Sequence, residues 1–330
     1  MRHADKSRRP DAGQSGDVHA ALTAQASILH RLLLGWYRRN GRPLPWRQDN
    51  DPYTILVSEI MLQQTQVARV TEHLPHWLQR FPSIDTLAAA SKREVLLAWS
   101  GMGYNRRALH LHAAASLICS RHNGIIPNDT DALLALPGIG RYTAHAVVCF
   151  AYGKRLPMVE VNIRRVLSRL ASGMQRENAV LPETVTWKLA ASLLPPRAYF
   201  AWNQALMDLG AMICTATRPA CSACPFSRLC PSAHRLLPTP DRNTQTVRET
   251  PRRLYRGRLI EFLRKQPGHC ATAAELHRLL FPDSGQEQRM RLFDILDSLR
   301  KDGMIDIHER SPGISASGTA LNELRVCLAE

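Results

Sequence analysis

The sequence lacks an apolar leader, and it lacks any apolar run long enough to cross a membrane. The first segment, MRHADKSRRPDAGQSGDVHA, is polar and charged, whereas a secretory leader needs a continuous apolar stretch. A membrane-spanning helix needs about 20 consecutive apolar residues. We therefore expect a cytoplasmic protein without a membrane partner, in a compartment that keeps thiols reduced.

Acidic residues are scarce relative to basic ones. The 330 residues include 28 Asp and Glu against 43 Lys and Arg, so the formal net charge is +15. The excess is concentrated in residues 25–230, which contain 23 basic and 12 acidic residues. Such a basic region favours a polyanionic partner, and nucleic acid before a membrane, because no basic amphipathic helix with an aromatic face stands out. The alternative is a solvated basic surface that only keeps the protein soluble.

The sequence has little of the alternating pattern that predicts β-strands. From about residue 25 to residue 213, apolar residues recur at helical spacing, as in ASILHRLLLGWYRR, TLAAASKREVLLAW and RRALHLHAAASLIC. Gly and Pro separate these segments, so we predict an all-α body. Residues 1–24 are rich in charge, Gly and Ser, and we expect them to form a disordered tail.

A polar segment that contains three prolines sets the C-terminal part of the chain apart, and we interpret residues 234–251 as a linker. Beyond it, RLYRGRLIEFLRKQ, ATAAELHRLL and QEQRMRLFDILDSLRKDGMIDI predict three helices, followed by a short strand pair around SPGIS. That order resembles a winged helix. The predicted organisation is therefore a core at 25–233 and a small winged-helix-like domain at 252–330.

Half of the eight cysteines lie in one short segment, CTATRPACSACPFSRLC, residues 214–230. These are Cys214, Cys221, Cys224 and Cys230. Disulfides are rare in a reducing compartment. Zinc sites usually have two Cys-x-x-Cys or Cys/His pairs separated by a longer stretch, whereas here one such pair, Cys221 and Cys224, is flanked by single cysteines. The spacing favours an iron–sulfur cluster over those two alternatives. The other cysteines, Cys119, Cys149, Cys270 and Cys327, occur singly in apolar surroundings, and we expect them to be core residues.

The segment LPGIGRYTAHAV, residues 136–147, contains a Gly-Ile-Gly turn ahead of a predicted helix. Gly138 and Gly140 expose backbone N–H groups without side chains in the way, which suits an anion at a helix N-terminus. With a helix before it, the turn predicts a helix-hairpin-helix that grips a DNA phosphate. The alternative is a tight connection between two helices.

Several segments occur in a characteristic order ahead of the cysteines: LPWR, VSEIMLQQTQV, GMGYNRRA, LPGIGRYTA, VNIRRVLSR and NQALMDLGAMIC. This order resembles that of the helix-hairpin-helix DNA glycosylases, and in particular the MutY-type adenine DNA glycosylases, over roughly residues 30–233. The resemblance implies a two-lobed helical core whose four clustered cysteines hold a [4Fe–4S] cluster. It also implies that the loop between the first two cysteines presents Arg218 to DNA.

The resemblance implies two catalytic carboxyl groups. Hydrolysis of a purine N-glycosidic bond needs an acid for the leaving base and an anion for the sugar cation. Glu59, in an apolar helical stretch, would protonate adenine and then activate water; the alternative is a partly exposed helix glutamate. Glu160 would be the anion, with Asn162 in support, although the family pattern has Asp at the first of these positions. The longer side chain places its charge about 1.5 Å farther out.

Tyr142 matches a tyrosine that assists the acid, at the position where lyase-competent relatives have a lysine. We therefore expect a monofunctional enzyme that forms no Schiff base. The resemblance further implies three residues that wedge into the DNA helix, namely Gln63, Gln64 and Tyr104. It implies an adenine pocket lined by Leu44, Trp46, Arg47 and Gln204. The aromatic residues of both sets could instead be ordinary core residues, and the glutamines a helix surface.

Besides Glu160, two features depart from the common family pattern. Asn105 stands where a second tyrosine usually follows Tyr104, and residues 250–330 lack the β-rich domain that reads 8-oxoguanine. The favoured interpretation is still a monomeric, nucleoid-associated base excision repair enzyme that removes adenine opposite guanine or 8-oxoguanine in double-stranded DNA. The alternatives are a glycosylase for thymine or uracil opposite guanine, and a DNA-binding protein of the same fold with little activity.

Overall fold

The computed structural model describes residues 19–172, 180–235, 251–281, 285–309, 321 and 324–330. Its contacts divide the chain into two units, each built from two separate segments. Unit 1 combines residues 1–50 with 144–243, and unit 2 combines residues 51–143 with 244–330. The predicted helical fold is confirmed, whereas the predicted domain boundaries differ from this division and stay a prediction.

The helices that precede the cysteine segment follow one another closely along the chain. They include α1 (Ala26–Asn40), α2 (Pro52–Leu62), α3 (Val67–Arg80), α4 (Ile84–Ala89), α5 (Lys92–Ala98), α6 (Arg106–His122), α7 (Thr130–Leu134), α8 (Arg141–Tyr152), α9 (Val161–Ser172), α10 (Glu183–Ser192) and α11 (Tyr199–Asp208). A short π-helix, Leu209–Ile213, leads from α11 into the cysteine segment.

In unit 1, helix α1 buries one apolar stripe, made of Leu29, Leu33 and Trp36. His30 lies beside this stripe and bonds the carbonyl of Leu193 at 2.7 Å. The spacing of the buried residues is that of one helix face, so burial of apolar area holds α1 in place. Residues 19–24, part of the predicted tail, are also helical, and Leu22 is buried. Residues 1–18 of that tail lie outside the described residues.

In unit 2, helix α2 is buried on almost every side. Its N-terminus is defined by Asp51, whose carboxylate accepts from the Thr54 N–H at 2.8 Å, and by Pro52 in the first turn. The side chains from Tyr53 to Met61 are apolar and buried with few exceptions. A helix that is apolar all round is a core helix, and it carries any polar residue in its sequence into the core with it.

The C-terminal part of unit 2 contains three helices and a small antiparallel sheet. The elements are α12 (Arg252–Lys265), β1 (Cys270–Thr272), α13 (Ala273–Leu280), α14 (Gln286–Lys301), β2 (Ile305–Glu309) and β3 (Leu324–Leu328). The strand order is β1-β3-β2. The three predicted helices and the strand pair are present, strand β1 was not predicted, and residues 311–315 lie outside the described residues. This part shares one hydrophobic cluster with Leu96 and Leu109 of the preceding helices.

Strands β1 and β3 correct one expectation about the isolated cysteines. Cys270 faces Cys327 in the antiparallel register, and the two form a disulfide. They are therefore neither separate nor reduced, because pairing of the two strands brings together residues that are 57 positions apart. Cys149, by contrast, is a buried core residue as expected, and burial raises its pKa to about 11. In the described ranges, no helix combines the length and apolar character of a membrane span.

Candidate active site and cysteine loop

The candidate residues are divided between the two units, and each set is described within its own unit. Unit 2 contains Glu59, Gln63, Gln64, Tyr104, Gly138, Gly140 and Tyr142. Unit 1 contains Leu44, Trp46, Arg47, Glu160, Asn162, Gln204, Arg218 and the four clustered cysteines.

Glu59 lies in the last turns of α2 and is 5% exposed. Its chain neighbours Ser58 and Ile60 are buried as well, so the carboxyl group belongs to the core of unit 2 and not to a helix surface. The predicted burial is therefore observed. Transfer of a carboxyl group into such surroundings disfavours the ionised form relative to the protonated acid.

Arg107 fixes the C-terminal end of α2, a role that the sequence patterns did not identify. Its guanidinium donates to the carbonyls of Ile60 and Met61 at 2.9 Å each, and to that of Gln63. It also donates to the carbonyls of Met102 and Gly103 at 3.1 Å. One half-buried cation therefore connects the helix that carries Glu59 to the turn before α6, and partial burial lowers the pKa of Arg107 to about 10.

Two of the predicted wedge residues have unusual backbone conformations. Gln64 has φ of +56° and Tyr104 has φ of +44°, in the left-handed region that side chains other than Gly seldom adopt. Tyr104 is 47% exposed, and its ring centre lies 5.6 Å from the Arg107 guanidinium carbon. A strained residue that holds an exposed ring away from the core is typical of a functional position.

The predicted hairpin lies between α7 and α8. Gly138 has φ of +79°, and a Cβ added there would lie 2.7 Å from the Cβ of His110, so no larger residue fits. Gly140 faces open space, with no atom within 4 Å of such a Cβ. Both glycines are exposed, Ile139 between them is buried, and Tyr142 is in the first turn of α8. This leaves backbone N–H groups accessible at the start of a 12-residue helix.

In unit 1, the carboxylate of Glu160 caps the N-terminus of α9. Its Oε2 accepts from the backbone N–H of Asn162 at 2.8 Å, and its Oε1 accepts from that of Ile163 at 2.8 Å. The side-chain amide of Asn162 donates to Oε2 at 3.1 Å. The longer side chain therefore folds back onto its own helix. Burial raises the pKa of Glu160, while these hydrogen bonds and the charge of Arg165 oppose that rise.

Arg165 links this carboxylate to the start of the cysteine segment. Its guanidinium donates to Asn162 Oδ1 at 2.7 Å and to the carbonyl of Cys214 at 2.8 Å. It also donates to the carbonyl of Gly210, where a Cβ would lie 2.7 Å from the Asn162 Cβ. Asn162 therefore bonds both the Glu160 carboxylate and Arg165, which contacts the cysteine segment, and its catalytic role stays a prediction.

The four cysteines of the loop line one cavity of about 30 Å³. Arg169, which is 3% exposed, lies in its wall and donates to Cys214 Sγ at 3.3 Å. Burial raises the pKa of Cys224 to about 12, and the charges of the other three cysteines act in the same direction. Four thiolates gathered in this way need a cationic group among them, so the donor set fits an iron–sulfur cluster.

The support for a cluster is the gathering of the four cysteines around one cavity. In the described part of the chain, no group of three or more His, Cys, Asp or Glu side chains is already arranged to hold a metal ion. Arg218 is exposed between the first two cysteines, and its carbonyl accepts from the Thr215 hydroxyl at 2.7 Å.

Arg47, a predicted adenine-pocket residue, has a structural partner in unit 1. It donates to both carboxylate oxygens of Asp208, at 2.8 and 2.9 Å, and Arg42 donates to the same carboxylate. Burial alone raises the pKa of Asp208, but the hydrogen bonds and charges of the two arginines outweigh it and lower that pKa. Trp46 and Gln204 are buried, and Leu44 is half-buried. Contact of these four residues with adenine stays a prediction.

Comparisons with known proteins agree with this geometry. Residues 57–190 match the family model described as HhH-GPD superfamily base excision DNA repair protein. The adenine DNA glycosylase of Mycobacterium tuberculosis strain H37Rv is 40% identical over 291 residues, which cover 86% of this chain and 92% of that protein. That of Homo sapiens is 38% identical over 222 residues, which cover 64% of this chain and 41% of that protein.

A solved structure of a thermostable thymine-DNA glycosylase superimposes on this chain with a TM-score of 0.60 at 31% identity. The superposition covers 64% of this chain and 98% of the glycosylase chain. The superposition shows that the helical fold is shared with a second kind of base-removing enzyme. The predicted resemblance is confirmed by the extent of the Mycobacterium match, and the chain belongs to the HhH-GPD superfamily of base excision DNA repair proteins, in its family of adenine DNA glycosylases.

Proposed function

We propose that this DNA N-glycosylase hydrolyses the N-glycosidic bond of an adenine mispaired with guanine or 8-oxoguanine, and that it has no lyase activity. The observation that carries the proposal is the burial of Glu59 in α2, within the segment that matches the family model. A buried carboxyl group can remain protonated near neutral pH and can therefore act as a general acid.

The two carboxyl groups have separate roles. Glu59 donates its proton to the adenine base, which makes the base a better leaving group, and then accepts a proton from the attacking water. Glu160, as a carboxylate, stabilises the positive charge that develops on the sugar. Tyr142 assists Glu59, and because it stands where a lyase would have a lysine, the product is an abasic site with an intact strand.

The target base must leave the duplex before the reaction, and the gap must be filled. Gln63, Gln64 and Tyr104 enter the stack at that point, which the exposed ring and left-handed backbone of Tyr104 support. The backbone N–H groups around Gly138 and Gly140 bind a phosphate without reading sequence. Leu44, Trp46, Arg47 and Gln204 line the pocket that receives the base.

Cys214, Cys221, Cys224 and Cys230 would hold a [4Fe–4S] cluster, as the cavity among them supports. The cluster, when bound, shapes the loop and takes no part in bond cleavage. The loop between the first two cysteines then presents Arg218 to DNA. Replacement of Cys224 by Ser is expected to remove the visible thiolate-to-iron absorption and to weaken DNA binding.

Double-stranded DNA with a mismatch or lesion is the proposed partner of a monomeric, nucleoid-associated protein. The net charge of +15 supports this partner. Affinity for any duplex should fall linearly with the logarithm of salt concentration because phosphate contacts release counterions. An affinity that does not change with salt concentration would contradict binding through phosphate contacts.

A second candidate function is removal of thymine or uracil opposite guanine. The superimposed thymine-DNA glycosylase structure, at 31% identity, favours it, as do Glu160 and Asn105 in place of the usual residues. Against it, the match to an adenine DNA glycosylase is 40% identical and covers more of the chain.

The deciding experiment measures single-turnover excision from duplexes that contain A opposite G, A opposite 8-oxoguanine, T opposite G and U opposite G. Each reaction is analysed with and without alkali, which cleaves strands at abasic sites. We expect cleaved strands from the two adenine duplexes, and only after alkali. Excision confined to the thymine or uracil duplexes would establish the second function, and cleavage without alkali would refute the absence of lyase activity.

A further inference from the structure

We propose that the C-terminal part of unit 2 positions the DNA wedge Tyr104, through a buried contact between Arg264 and Asn105. The inference rests on the proposed function, in which Tyr104 enters the DNA stack. It makes Arg264, on α12, a positioning residue for base extrusion, although it lies outside the segment that matches the family model.

Arg264 is the centre of the contact. Its guanidinium side chain is only 6% exposed. It donates from Nη2 to Asn105 Oδ1 at 2.9 Å and from Nε to the carbonyl of Leu96 at 3.0 Å. It also donates from Nη1 to Glu261 Oε2 at 2.8 Å. Two of these donors on one planar group therefore bridge the end of α5 and the residue before α6, while the third binds Glu261 on the same helix as Arg264.

The turn that these donors span is strained. Gly101, Gly103 and Tyr104 all have φ between +44° and +78°. For a tyrosine, a left-handed backbone is unfavourable and persists only where the surroundings impose it. Asn105 follows Tyr104 directly and is 8% exposed, so its contact with Arg264 fixes the residue next to the strained one.

Further contacts hold the same surface together. Ser100, inside the turn, donates to Glu261 Oε2 at 3.3 Å. Leu96 and Leu109, which flank the turn, belong to the hydrophobic cluster of the C-terminal part. Arg93 donates to the carbonyl of Leu328 at 3.3 Å. The C-terminal part and the turn therefore pack against each other within unit 2.

Two of the three departures from the common family pattern, Asn105 and the C-terminal part, meet at this contact. Asn105 replaces a tyrosine, and its short amide side chain presents an acceptor to a buried arginine. The C-terminal part that supplies the arginine replaces the usual β-rich domain. A match over 86% of this chain must extend past residue 233, so the Mycobacterium tuberculosis relative shares at least some of this part, whereas the human match covers 64%.

A double-mutant cycle tests the inference. Single-turnover excision is measured for the wild type, Arg264→Met, Tyr104→Ala and the double variant, on a duplex with adenine opposite 8-oxoguanine. Base extrusion is followed in parallel by the fluorescence of 2-aminopurine at the target position. Arg300→Met is the matched control, because Arg300 lies in the same part of the chain, its side chain is 61% exposed, and that side chain pairs with Asp297 on its own helix.

We expect Arg264→Met and Tyr104→Ala each to lower the excision rate and the extrusion signal by about tenfold, and the double variant to lose no more than either single one. The control should keep the wild-type rate. Multiplied losses in the double variant, or a wild-type rate for Arg264→Met, would overturn the inference. A wild-type enzyme that excises no adenine would instead contradict the proposed function, and an unaffected Tyr104→Ala would overturn the wedge and this inference together.

Substitutions at Asn105 repeat the test without changing the C-terminal part, and they decide the matter if Arg264→Met does not fold. Asn105→Leu removes the acceptor, so we expect it to lower the excision rate as much as Arg264→Met does. In a protein that already carries Tyr104→Ala, Asn105→Leu should cause no further loss of rate. Asn105→Asp keeps an acceptor for Arg264 and should retain the wild-type rate to within about twofold. Equal loss in both Asn105 variants would refute the hydrogen bond as the means of positioning.

Discussion

The two candidate catalytic carboxyl groups lie in different local environments. Glu59, in unit 2, lies inside an apolar core helix and is 5% exposed. Glu160, in unit 1, lies at a helix N-terminus, where two backbone N–H groups and one amide donate to its oxygens. An apolar environment favours the neutral acid, whereas donors at a helix N-terminus favour the anion.

This difference supports the proposed roles of Glu59 as the acid and Glu160 as the anion. An acid must keep its proton until the base departs, and an anion must be charged when the sugar cation forms. Burial still raises the pKa of Glu160, and the hydrogen bonds to its oxygens and the charge of Arg165 limit that rise without reversing it. Each role can be removed separately by an amide of nearly the same shape.

The largest effect is expected at the buried acid. Glu59→Gln should lower single-turnover adenine excision by about 10²- to 10⁴-fold, because the amide cannot donate an acidic proton. Duplex affinity should stay near that of the wild type, since the amide fills the same space. The matched control is Glu72→Gln, an exposed position in α3. Full activity in Glu59→Gln would show that Glu59 is not the catalytic acid.

A smaller loss is expected at the capped anion. Glu160→Gln should cost about 10²-fold in single-turnover rate, the scale of one preorganised stabilising group. The amide oxygen still accepts one backbone bond, so α9 should remain folded by circular dichroism. Glu183→Gln, exposed in α10, is the control. If Glu160→Gln excises adenine at the wild-type rate while Glu59→Gln is inactive, position 160 is not the catalytic anion.

Substitutions in the hairpin test DNA binding separately from the two carboxyl groups. Gly138→Ala would place a Cβ 2.7 Å from the Cβ of His110 in a left-handed backbone, so it should lower both melting temperature and duplex affinity. The strain amounts to about 1–3 kcal/mol. Gly140→Ala meets no atom within 4 Å, so it should leave the melting temperature unchanged and lower affinity only. Unchanged affinity in both variants would contradict a phosphate site at the hairpin.

Local patterns predicted the helices and the burial of Glu59, because apolar residues at helical spacing indicate a helix that packs into the core. They could not reveal contacts made across long stretches of chain. Arg107 bonds carbonyls more than 40 positions away, and Arg264 contacts Asn105 from 159 positions away. In the sequence both arginines look like ordinary basic residues of amphipathic helices.

The departure at position 160 shows a similar limit. The sequence establishes that a glutamate replaces the usual aspartate, but not where its longer side chain goes. The structure shows that it curls onto the N-terminus of its own helix. The disulfide between Cys270 and Cys327 was missed for the same kind of reason, since it depends on the register of two strands that are distant in the sequence.

The most direct test of the two-carboxylate account is the pH dependence of single-turnover adenine excision in the wild type and in Glu160→Gln. Burial raises the pKa of Glu160, and only its ionised form stabilises the sugar cation, so the wild-type rate should rise with pH as this group loses its proton. In Glu160→Gln the group is absent, and the account predicts that this acid-side rise disappears while a residual rate remains. The same acid-side rise in both proteins would contradict the account, because another group would then supply the anion.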